Sequence, residues 1–448
     1  MNTHDNTKSA VQRVCEYVAT HPASTRGKIV SAIGGGESVS TFYRWLEIGI
    51  AQGMLVRQGT TSGATYSPSD DLRKVMLRKH LAKDARQRGK VGYNADFLER
   101  YIPNVSYYLK PYDLKRLQAR CPPGTAPLSL LDSNELGKFL CDLSYASSHL
   151  EGNGYNYADT IHLAQMQIEM LGGSERDKVM ILNHYDAAKY LIRCIKDPDF
   201  RQVAMSTTTM RSVHALLAHE LIRDTSQVGA LRKRHVEIYD SSYIPLDNPD
   251  SIANYFERMI VKAGQIENPF EQSFFLLVHL PYLQPFADCN KRVARVACNI
   301  PLLMAGITPI SWIDVTTRKR EYMDANVAIY EQNDPILLSD LFVESFMHSA
   351  ERFRMLQEHK NPDPIAAKYR RQIKICIRAQ VLEQTEMLPP DVDIADIPEF
   401  QDYIKAELLA LSQNDVLGVR YELPTHVVQA WHERENPVPT ASQSQMVA

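Results

Sequence analysis

Several features are missing from this sequence of 448 residues, and each absence narrows the class of protein. The seven cysteines form neither CxxC pairs nor clusters with histidine at zinc-binding spacing, so we expect reduced thiols. The first residues, MNTHDNTKSAVQR, lack the apolar core of a signal peptide, and no run of 18 apolar residues occurs. The 50 Lys and Arg against 53 Asp and Glu leave a net charge of −3, which gives no global attraction to nucleic acid or membrane. We therefore expect a soluble, cytoplasmic protein, in which any nucleic-acid contact comes from a local patch.

Residues 1–70 have a pattern of their own. Helical periodicity covers residues 10–20, 24–33 and 38–52, and two short strands around a glycine-containing turn follow. Ser38 or Ser40 is expected to cap the third helix, whose buried face is formed by Val39, Phe42, Trp45 and Leu46. Three helices followed by a hairpin resemble a winged helix-turn-helix.

A winged helix that binds DNA places its third helix in the major groove. The side chains that would reach DNA here are Thr41, Tyr43, Arg44 and the wing residue Arg57. This basic complement is small, because affinity for any DNA rests on several Lys or Arg contacts to phosphate. Winged helices also pack against proteins, so the pattern leaves DNA binding and protein binding open for this region.

The rest of the chain divides into three parts. Residues 71–131 are rich in Lys, Arg and Tyr and predict a connecting helical arm, for which solvated helix faces and nucleic-acid binding are alternative explanations. Residues 132–350 predict a nearly continuous set of helices. Residues 351–448 predict a C-terminal helical region, with a periodic helix over 366–384 and a disordered tail over 436–448. The expected fold class is therefore mainly α.

The most informative segment is QPFADCNKRVAR at residues 284–295. An apolar helix ends near Pro281 and a second begins around Asn290, so the turn between them presents the unpaired N–H groups of a helix N-terminus, which bind phosphate. Arg292 and Arg295 lie one turn apart and can both reach a di- or triphosphate. Asp288 on the turn can hold a Mg²⁺ ion that bridges phosphate oxygens. Taken singly, such residues also fit a surface ion-pair face or a turn cap.

This segment resembles HPFxDGNGRxxR, the motif of the Fic family, whose domain is the Fido fold. Two other segments carry the same resemblance: SSHLEGN at residues 147–153 is similar to the inhibitory motif (S/T)xxxE(G/N), and VGALRKRHVEIYDSSYIP at residues 228–245 is similar to a strand pair that covers the active site. The resemblance spans about residues 134–349. It implies a helical Fido-fold core with a small β-hairpin flap, along which a protein target adds as a strand. The flap residues would be Val236, Ile238 and Tyr243.

The resemblance also implies what the central segment binds. The ligand would be ATP or another nucleotide, with a Mg²⁺ ion on Asp288. Phe286 would anchor the turn in the core. The phosphates would be held by Asn290, Lys291, Arg292 and Arg295.

The inhibitory segment would supply Ser147, Glu151 and Gly152. In the family, the glutamate pairs with the second arginine of the motif, here Arg295, and displaces the γ-phosphate, which keeps the enzyme inactive. A carboxylate and a guanidinium are suited to such a bidentate pair. The local pattern has an alternative interpretation, in which Gly152 ends a helix and Glu151 is a surface charge.

Three positions depart from the family motif. The histidine that opens the motif, and is the usual general base, is replaced by Gln284, whose amide cannot take up a proton near neutral pH. The two glycines are replaced by Cys289 and Lys291, and the resulting DCNKR resembles the DANKR-like form of Doc toxins, which transfer the γ-phosphate to a translation elongation factor. His279 and His235 are the candidates for a substitute base, but a separation of five residues turns His279 away from position 284.

Two functional hypotheses follow. The first is a nucleotide-binding, autoinhibited protein that acts as a weak or altered adenylyl- or phosphotransferase on a protein hydroxyl. The second is a catalytically inactive Fic pseudoenzyme that serves as a regulator, binding DNA or a protein through its winged helix. Gln284 favours the second hypothesis, whereas Glu151 and Arg295 favour the first. The sequence leaves the protein target and the oligomeric state open, with a homo-oligomer among the alternatives.

Overall fold

The computed structural model describes residues 3–34, 36–60, 63–124, 133–166, 174–358, 363–389 and 391–435. The chain forms two compact units, residues 1–354 and 355–448, and each is described by itself. The fold is mainly α, as predicted. Within the described ranges, no helix combines the length and the apolar character that crossing a membrane requires. No disulfide joins the seven cysteines, all of which lie in described residues.

The first unit begins with three helices and a small antiparallel sheet of three strands, in which the third strand along the chain, Thr65–Pro68, lies in the centre. The side chain of Ser38 accepts a hydrogen bond from the Thr41 N–H and so caps the third helix, as predicted. Phe42 and Leu46 are buried on this helix, whereas the prediction for Val39 is wrong, because its side chain is 58% exposed. The elements are α1 (Thr3–Thr20), β1 (Ser24–Thr25), α2 (Arg26–Ile33), α3 (Val39–Ala51), β2 (Leu55–Gln58) and β3 (Thr65–Pro68).

The predicted arm follows as short helices and one short strand. Its first helix connects two clusters of buried side chains, because Leu72 belongs to the N-terminal cluster whereas Leu77 and Leu81 belong to the main core. The elements are α4 (Asp70–Leu81), β4 (Val91–Gly92), α5 (Ala95–Glu99) and α6 (Pro111–Arg120).

The main core surrounds one buried helix, α13 (Pro269–Leu283). Asn268 caps this helix by accepting hydrogen bonds from the Phe270 and Glu271 N–H groups, and Pro269 occupies its first turn. Residues 273–283 are all buried, which explains why this segment is continuously apolar. The surrounding elements are α7 (Ser133–Leu150), α8 (Tyr157–Ile161), α9 (Glu175–Ile195), α10 (Pro198–Val203), α11 (Thr207–Ala218), β5 (Tyr243–Ile244), α12 (Pro249–Gln265), α13 (Pro269–Leu283), α14 (Asn290–Ala297), α15 (Asn299–Met304), α16 (Lys319–Gln332) and α17 (Ile336–Glu358).

The predicted β-hairpin over residues 228–245 is wrong. Only Tyr243 and Ile244 of this segment form a strand, β5, which pairs in parallel with β4 of the arm. Tyr243 is buried, its hydroxyl donates to the Tyr282 carbonyl oxygen at 2.7 Å, and its ring stacks on Tyr282 and Tyr330. Residues 233–239 of the same segment form no strand.

The second unit has a small core of its own. Ile373, Ile377, Phe400 and Val428 are among its buried side chains. The predicted helix over residues 366–384 is divided, since one helix ends at Lys368 and the next begins at Arg370. The predicted disordered tail at residues 436–448 lies outside the described residues. The helices are α18 (Pro364–Lys368), α19 (Arg370–Arg378), α20 (Ile397–Gln413) and α21 (Thr425–Glu435).

Candidate functional site

The turn between α13 and α14 is held by the Asn290 side chain. Asn290 Oδ1 accepts from the Phe286 N–H at 2.9 Å, and Asn290 Nδ2 donates to the Phe286 carbonyl at 2.9 Å and to Gln284 Oε1 at 2.8 Å. Phe286 is fully buried, as predicted, and stacks on His214 with ring centroids 4.0 Å apart. The Asn290 side chain thus fixes the turn, which leaves its backbone N–H for any contact with phosphate.

The N-terminus of α14 opens at Cys289. This residue has a φ of 65°, in the left-handed region, and its side chain does not cap the helix. Its own N–H donates to Asp288 Oδ1 at 2.5 Å. Burial raises the pKa of the Cys289 thiol to about 12, so the thiol stays protonated at neutral pH. The first turn of α14 therefore keeps the N–H groups and the positive end of the helix dipole that suit an anion.

Arg292 lies just inside this turn with one guanidinium nitrogen unsatisfied. Its side chain is 4% exposed, and Nη2 lies 3.3 Å from Asp288 Oδ2. Nη1 is buried without a hydrogen-bond partner among the described residues. A buried donor that lacks a partner costs free energy, so this nitrogen suits an acceptor on a ligand.

Arg295 is fully buried, and each of its three guanidinium nitrogens donates at least one hydrogen bond. Nε donates to Ser147 Oγ at 2.9 Å, Nη2 to the Ser147 carbonyl at 3.0 Å, and Nη1 to the Tyr322 hydroxyl at 3.1 Å. Nη2 also donates to Glu151 Oε1 at 2.7 Å. The structure therefore brings together Ser147, Glu151 and Arg295, which are about 150 residues apart at most in the sequence.

Glu151 remains ionised in this pair. Burial would raise the pKa of its carboxyl, but the positive charges of Arg295, Lys291 and Arg292 outweigh burial and lower the pKa from 4.5 to about 2. Lys291 Nζ lies 3.4 Å from Glu151 Oε2, so each carboxylate oxygen faces a different cation. The side chain of Glu151 is 20% exposed, and it is not the surface charge of the alternative interpretation.

Gly152 ends helix α7, as that alternative proposed. Its φ is +96°, which favours glycine, and its N–H donates to the His149 carbonyl. The alternative interpretation of SSHLEGN therefore holds for Gly152 but not for Glu151, because the helix end that Gly152 forms also places the Glu151 carboxylate against Arg295.

Three residues of the site were missed from the sequence. His184 on α9 bonds Ser147 Oγ through Nε2 at 2.8 Å, and burial lowers its pKa to about 3. On α16, the Tyr322 hydroxyl accepts a hydrogen bond from Arg295, and Tyr330 lines the cleft. No short motif marks these positions; only the helical periodicity of α9 and α16 indicated that the residues face the core.

These elements surround a cleft of about 190 Å³. Of the predicted flap residues, Val236 and Ile238 line this cleft, but Tyr243 does not, because its ring is buried in the aromatic stack. The prediction of Tyr243 as a flap residue is therefore wrong. The remaining lining residues include Glu151, Tyr239, Gln284, Asp288, Lys291, Arg292 and Tyr330.

Gln284 occupies the position of the family's base, and its side-chain amide forms hydrogen bonds within the turn. Its Nε2 donates to the Pro281 carbonyl at 2.7 Å, while its Oε1 accepts from Asn290. His279 is buried and bonded to the Tyr108 hydroxyl at 2.8 Å, and His235 lies 3.7 Å from Asp247. Neither histidine is among the residues that line the cleft.

Asp288 fits the role of a Mg²⁺ ligand beside phosphate. Its side chain is 52% exposed at the edge of the cleft. In the described part of the chain, no three His, Cys, Asp or Glu side chains are grouped so that they could hold a metal by themselves. Mg²⁺ commonly binds through one or two carboxylates together with substrate phosphates, so a single exposed carboxylate suits it.

The predicted DNA-contact residues lie elsewhere, on α3 and the sheet. Arg57 donates to the Gly59 and Thr60 carbonyls at 3.1 Å, so its guanidinium is partly used within its own turn. Arg44 and Tyr43 are exposed, and Thr41 is half-buried beside the helix cap. Arg44 is thus the most available cation of this set.

One family model and several solved structures are similar to this chain. A model of the Fic/DOC family matches residues 204–302, which contain α11 to α14. A Fic-domain-containing signalling protein from Bacteroides thetaiotaomicron VPI-5482 is 18% identical, with a TM-score of 0.44 over 56% of this chain and 98% of that one. Fic-1 (residues 134–508) from C. elegans is 15% identical, with a TM-score of 0.43 over 79% and 84%. A Fic family protein from Desulfovibrio desulfuricans G20 is 16% identical, with a TM-score of 0.47 over 62% and 82%. From the match of residues 204–302 and the motif within it, we conclude that this chain contains a domain of the Fic/DOC family.

Proposed function

We propose that the cleft binds ATP or another nucleotide by its phosphates, and that Glu151 restrains this binding. The observation that carries the proposal is the pairing of the Glu151 carboxylate with the fully buried Arg295 at 2.7 Å. A carboxylate in that position occupies the cation that a phosphate would use. A ligand phosphate gains Arg295 only when Glu151 leaves.

The charges around the cleft support a phosphate ligand. Among the described residues, the carboxylates that lie within ion-pair distance of Lys291, Arg292 and Arg295 are those of Glu151 and Asp288. Displacement of Glu151 leaves an excess of positive charge at the N-terminus of α14, where the helix dipole adds to it. The unsatisfied Nη1 of Arg292 provides a further donor. When bound, a Mg²⁺ ion on Asp288 would neutralise phosphate charge.

We propose that transfer from the nucleotide to a protein hydroxyl is weak. A general base commonly contributes about a hundred- to ten-thousand-fold in rate, and the Gln284 amide provides none. Its two hydrogen bonds within the turn fix the orientation of the amide, which still cannot remove a proton from the attacking hydroxyl. Phosphoryl transfer depends mainly on positioning and electrostatics, which the cations of the cleft retain, so slow transfer persists.

The target would lie along residues 233–239. This segment has no strand partner, and none of its backbone N–H groups donates to another backbone group in the described part of the chain. An extended peptide can use such free groups in strand addition. Val236 and Ile238 beside the cleft would then contact the side chains of the target.

Calorimetric titration with ATP and Mg²⁺ at matched salt tests the proposal. Glu151→Gly is expected to bind distinctly more tightly than the wild type, and Arg292→Met to bind more weakly. Arg295→Ala is expected to abolish binding, but it also removes a buried contact of Ser147, so its folding must be verified by thermal unfolding. Absence of binding by the wild type and by a folded Glu151→Gly would refute the proposed site.

A second assay separates adenylyl transfer from phosphoryl transfer. ATP labelled at the α-phosphate or at the γ-phosphate is incubated with Glu151→Gly and a cell extract. Label on protein from the α-position, above that of the extract alone, indicates an adenylyltransferase, and additional label from the γ-position only indicates a Doc-like kinase. Gln284→His is expected to increase the rate, because it restores a base.

The internal hydrogen bonds of Gln284 also favour a second candidate function, an inactive regulator. In this case the Fic/DOC domain binds nucleotide without transfer, and residues 1–70 bind DNA or a protein. Binding of DNA whose strength changes with ATP would support this function. Arg44→Ala would then weaken the binding of all DNA sequences, if its guanidinium contacts phosphate.

A further inference from the structure

We infer that Lys291 is a second restraining residue that changes partners, from the Glu151 carboxylate in the closed site to a ligand phosphate in the open site. This inference rests on the proposed function, because it requires a nucleotide whose binding displaces Glu151. It concerns regulation of the same cleft. It assigns to Lys291 a role in the restraint in addition to phosphate binding.

The geometry places Glu151 between two cations of one helix. Glu151 Oε1 accepts from Arg295 Nη2 at 2.7 Å, while Oε2 lies 3.4 Å from Lys291 Nζ. Lys291 and Arg295 are four residues apart on α14 and therefore lie on the same helix face. Both oxygens of the carboxylate thus face positive charge, because Arg295 bonds only Oε1 and Lys291 lies beside Oε2.

The two cations differ in their freedom to move. Arg295 is fully buried and is also held by Ser147 and Tyr322. The Lys291 side chain is 23% exposed, and its only other contact given by the described residues is Met323 Sδ at 3.8 Å from Nζ. A lysine has a flexible four-carbon stem and a compact charge. Lys291 is therefore able to leave Glu151 and follow an incoming phosphate.

This exchange of partners has a thermodynamic consequence. In the wild type, loss of the Lys291 charge weakens phosphate binding but also weakens the restraint by Glu151, so the two effects on nucleotide affinity oppose each other. Without Glu151, only the first effect remains. The cost of removing Lys291 thus depends on whether Glu151 is present, which is a coupling between the two residues.

Two simpler roles predict different results. If Lys291 only binds phosphate, its removal lowers the ATP affinity by the same factor in the wild type and in Glu151→Gly. A lysine that only strengthens the restraint increases the affinity of the wild type when it is removed and changes nothing in Glu151→Gly. The proposed exchange predicts a small effect in the wild type and a large loss in Glu151→Gly.

The test is a double-mutant cycle measured by calorimetry with ATP and Mg²⁺ at matched salt. The four proteins are the wild type, Lys291→Met, Glu151→Gly and the double variant. In the Glu151→Gly background, Lys291→Met is expected to lower the affinity about tenfold or more, since hydrogen bonds to charged groups are the stronger ones. In the wild type it is expected to change the affinity by about threefold at most, in either direction.

Lys319→Met is the matched control. Lys319 Nζ donates to the His149 carbonyl at 3.3 Å, at the same end of α7, and it makes no contact with the Glu151 carboxylate. Its removal is expected to change the affinity by the same factor in both backgrounds. Lys291→Arg keeps the positive charge, so it is expected to keep most of the coupling with Glu151 that Lys291→Met removes. A purely structural role of Lys291 does not predict this dependence on charge.

The outcomes separate this inference from the proposed function. If Glu151→Gly binds more tightly than the wild type, and Lys291→Met costs the same factor in both backgrounds, the exchange is refuted while the restrained site stands. If Glu151→Gly binds ATP no more tightly than the wild type, the proposed function fails, and the inference fails with it. Thermal unfolding of each variant shows whether a loss of affinity comes from a loss of fold.

Discussion

Replacing Glu151 with glutamine should destabilise the first unit by about 2 to 3 kcal/mol at neutral pH. Burial raises the pKa of the Glu151 carboxyl, but the charges of Arg295 and Lys291 lower it by more. The resulting pKa is about 2, compared with an ordinary value of 4.5. A pKa difference of this size corresponds to about 3 kcal/mol of stabilisation. Glutamine keeps the volume and one hydrogen bond to Arg295, so slightly less than the whole amount should be lost. The value is near the low end of what breaking a buried pair costs.

The pH dependence of this difference has a defined sign. Because the folded-state pKa of Glu151 is lowered, its stabilisation is fully present above pH 4.5 and is lost as the pH falls through about 2. The difference between the wild type and Glu151→Gln should therefore be constant from pH 5 to pH 8. The restraint on the cleft is not released by any pH change within that range.

Urea unfolding monitored by pulsed hydrogen exchange measures the difference in free energy of unfolding between the wild type and Glu151→Gln. Peptides from residues 133–304 report on the first unit separately, which matters because two units need not unfold together. Glu344→Gln is the control: Glu344 is 58% exposed and pairs with Arg318 at 2.5 Å, so its replacement should cost about 1 kcal/mol at most. A Glu151→Gln protein as stable as this control would refute the reasoning.

Three further predictions concern other residues of the first unit. Burial lowers the pKa of His184 to about 3, of His214 to about 4 and of His279 to about 3, so below pH 6.5 only the unfolded chain takes up their protons. The free energy of unfolding should then fall by about 1 kcal/mol per imidazole between pH 7 and pH 5.5, and equal urea midpoints at the two pH values would contradict this. Glu331→Gln should accelerate hydrogen exchange at residues 241–244, because the buried Glu331 carboxylate accepts from the Ser241 hydroxyl at 2.8 Å and the Ser242 N–H at 2.7 Å; unchanged exchange would mean that β5 alone holds the segment. Gly152→Val should cost about 1 to 2 kcal/mol in urea unfolding, since a branched side chain is strained at a φ of +96°, whereas Gly89→Val, at an open position, should cost little.

The predictions from the sequence were most accurate where all the residues that form a turn or a helix end lie within one short motif. The turn from Gln284 to Arg295 forms as the helix–turn–helix pattern indicated, and Gly152 ends its helix. The pair of Glu151 and Arg295 was also predicted, although only through the resemblance to a family. Local patterns do not show which carboxylate meets which arginine across more than a hundred residues.

Two errors concern long-range packing, which neither the family resemblance nor the local sequence pattern specified. The stretch near Tyr243 has β-forming residues, but its ring enters an aromatic stack with Tyr282 and Tyr330, and its backbone pairs with Val91 of the arm. His184 was missed because its partner, Ser147, lies 37 residues away on another helix. Such contacts depend on how helices pack, which periodicity alone does not determine.

The most direct test of the central claim compares ATP with adenosine in the wild type and in Glu151→Gly. Glu151 is held by cations that would bind phosphate, so its removal should strengthen ATP binding by about tenfold or more and leave adenosine unaffected. Calorimetry with Mg²⁺ at matched salt measures both affinities. An equal gain for adenosine, or no gain for ATP, would contradict a restraint that acts on the phosphates.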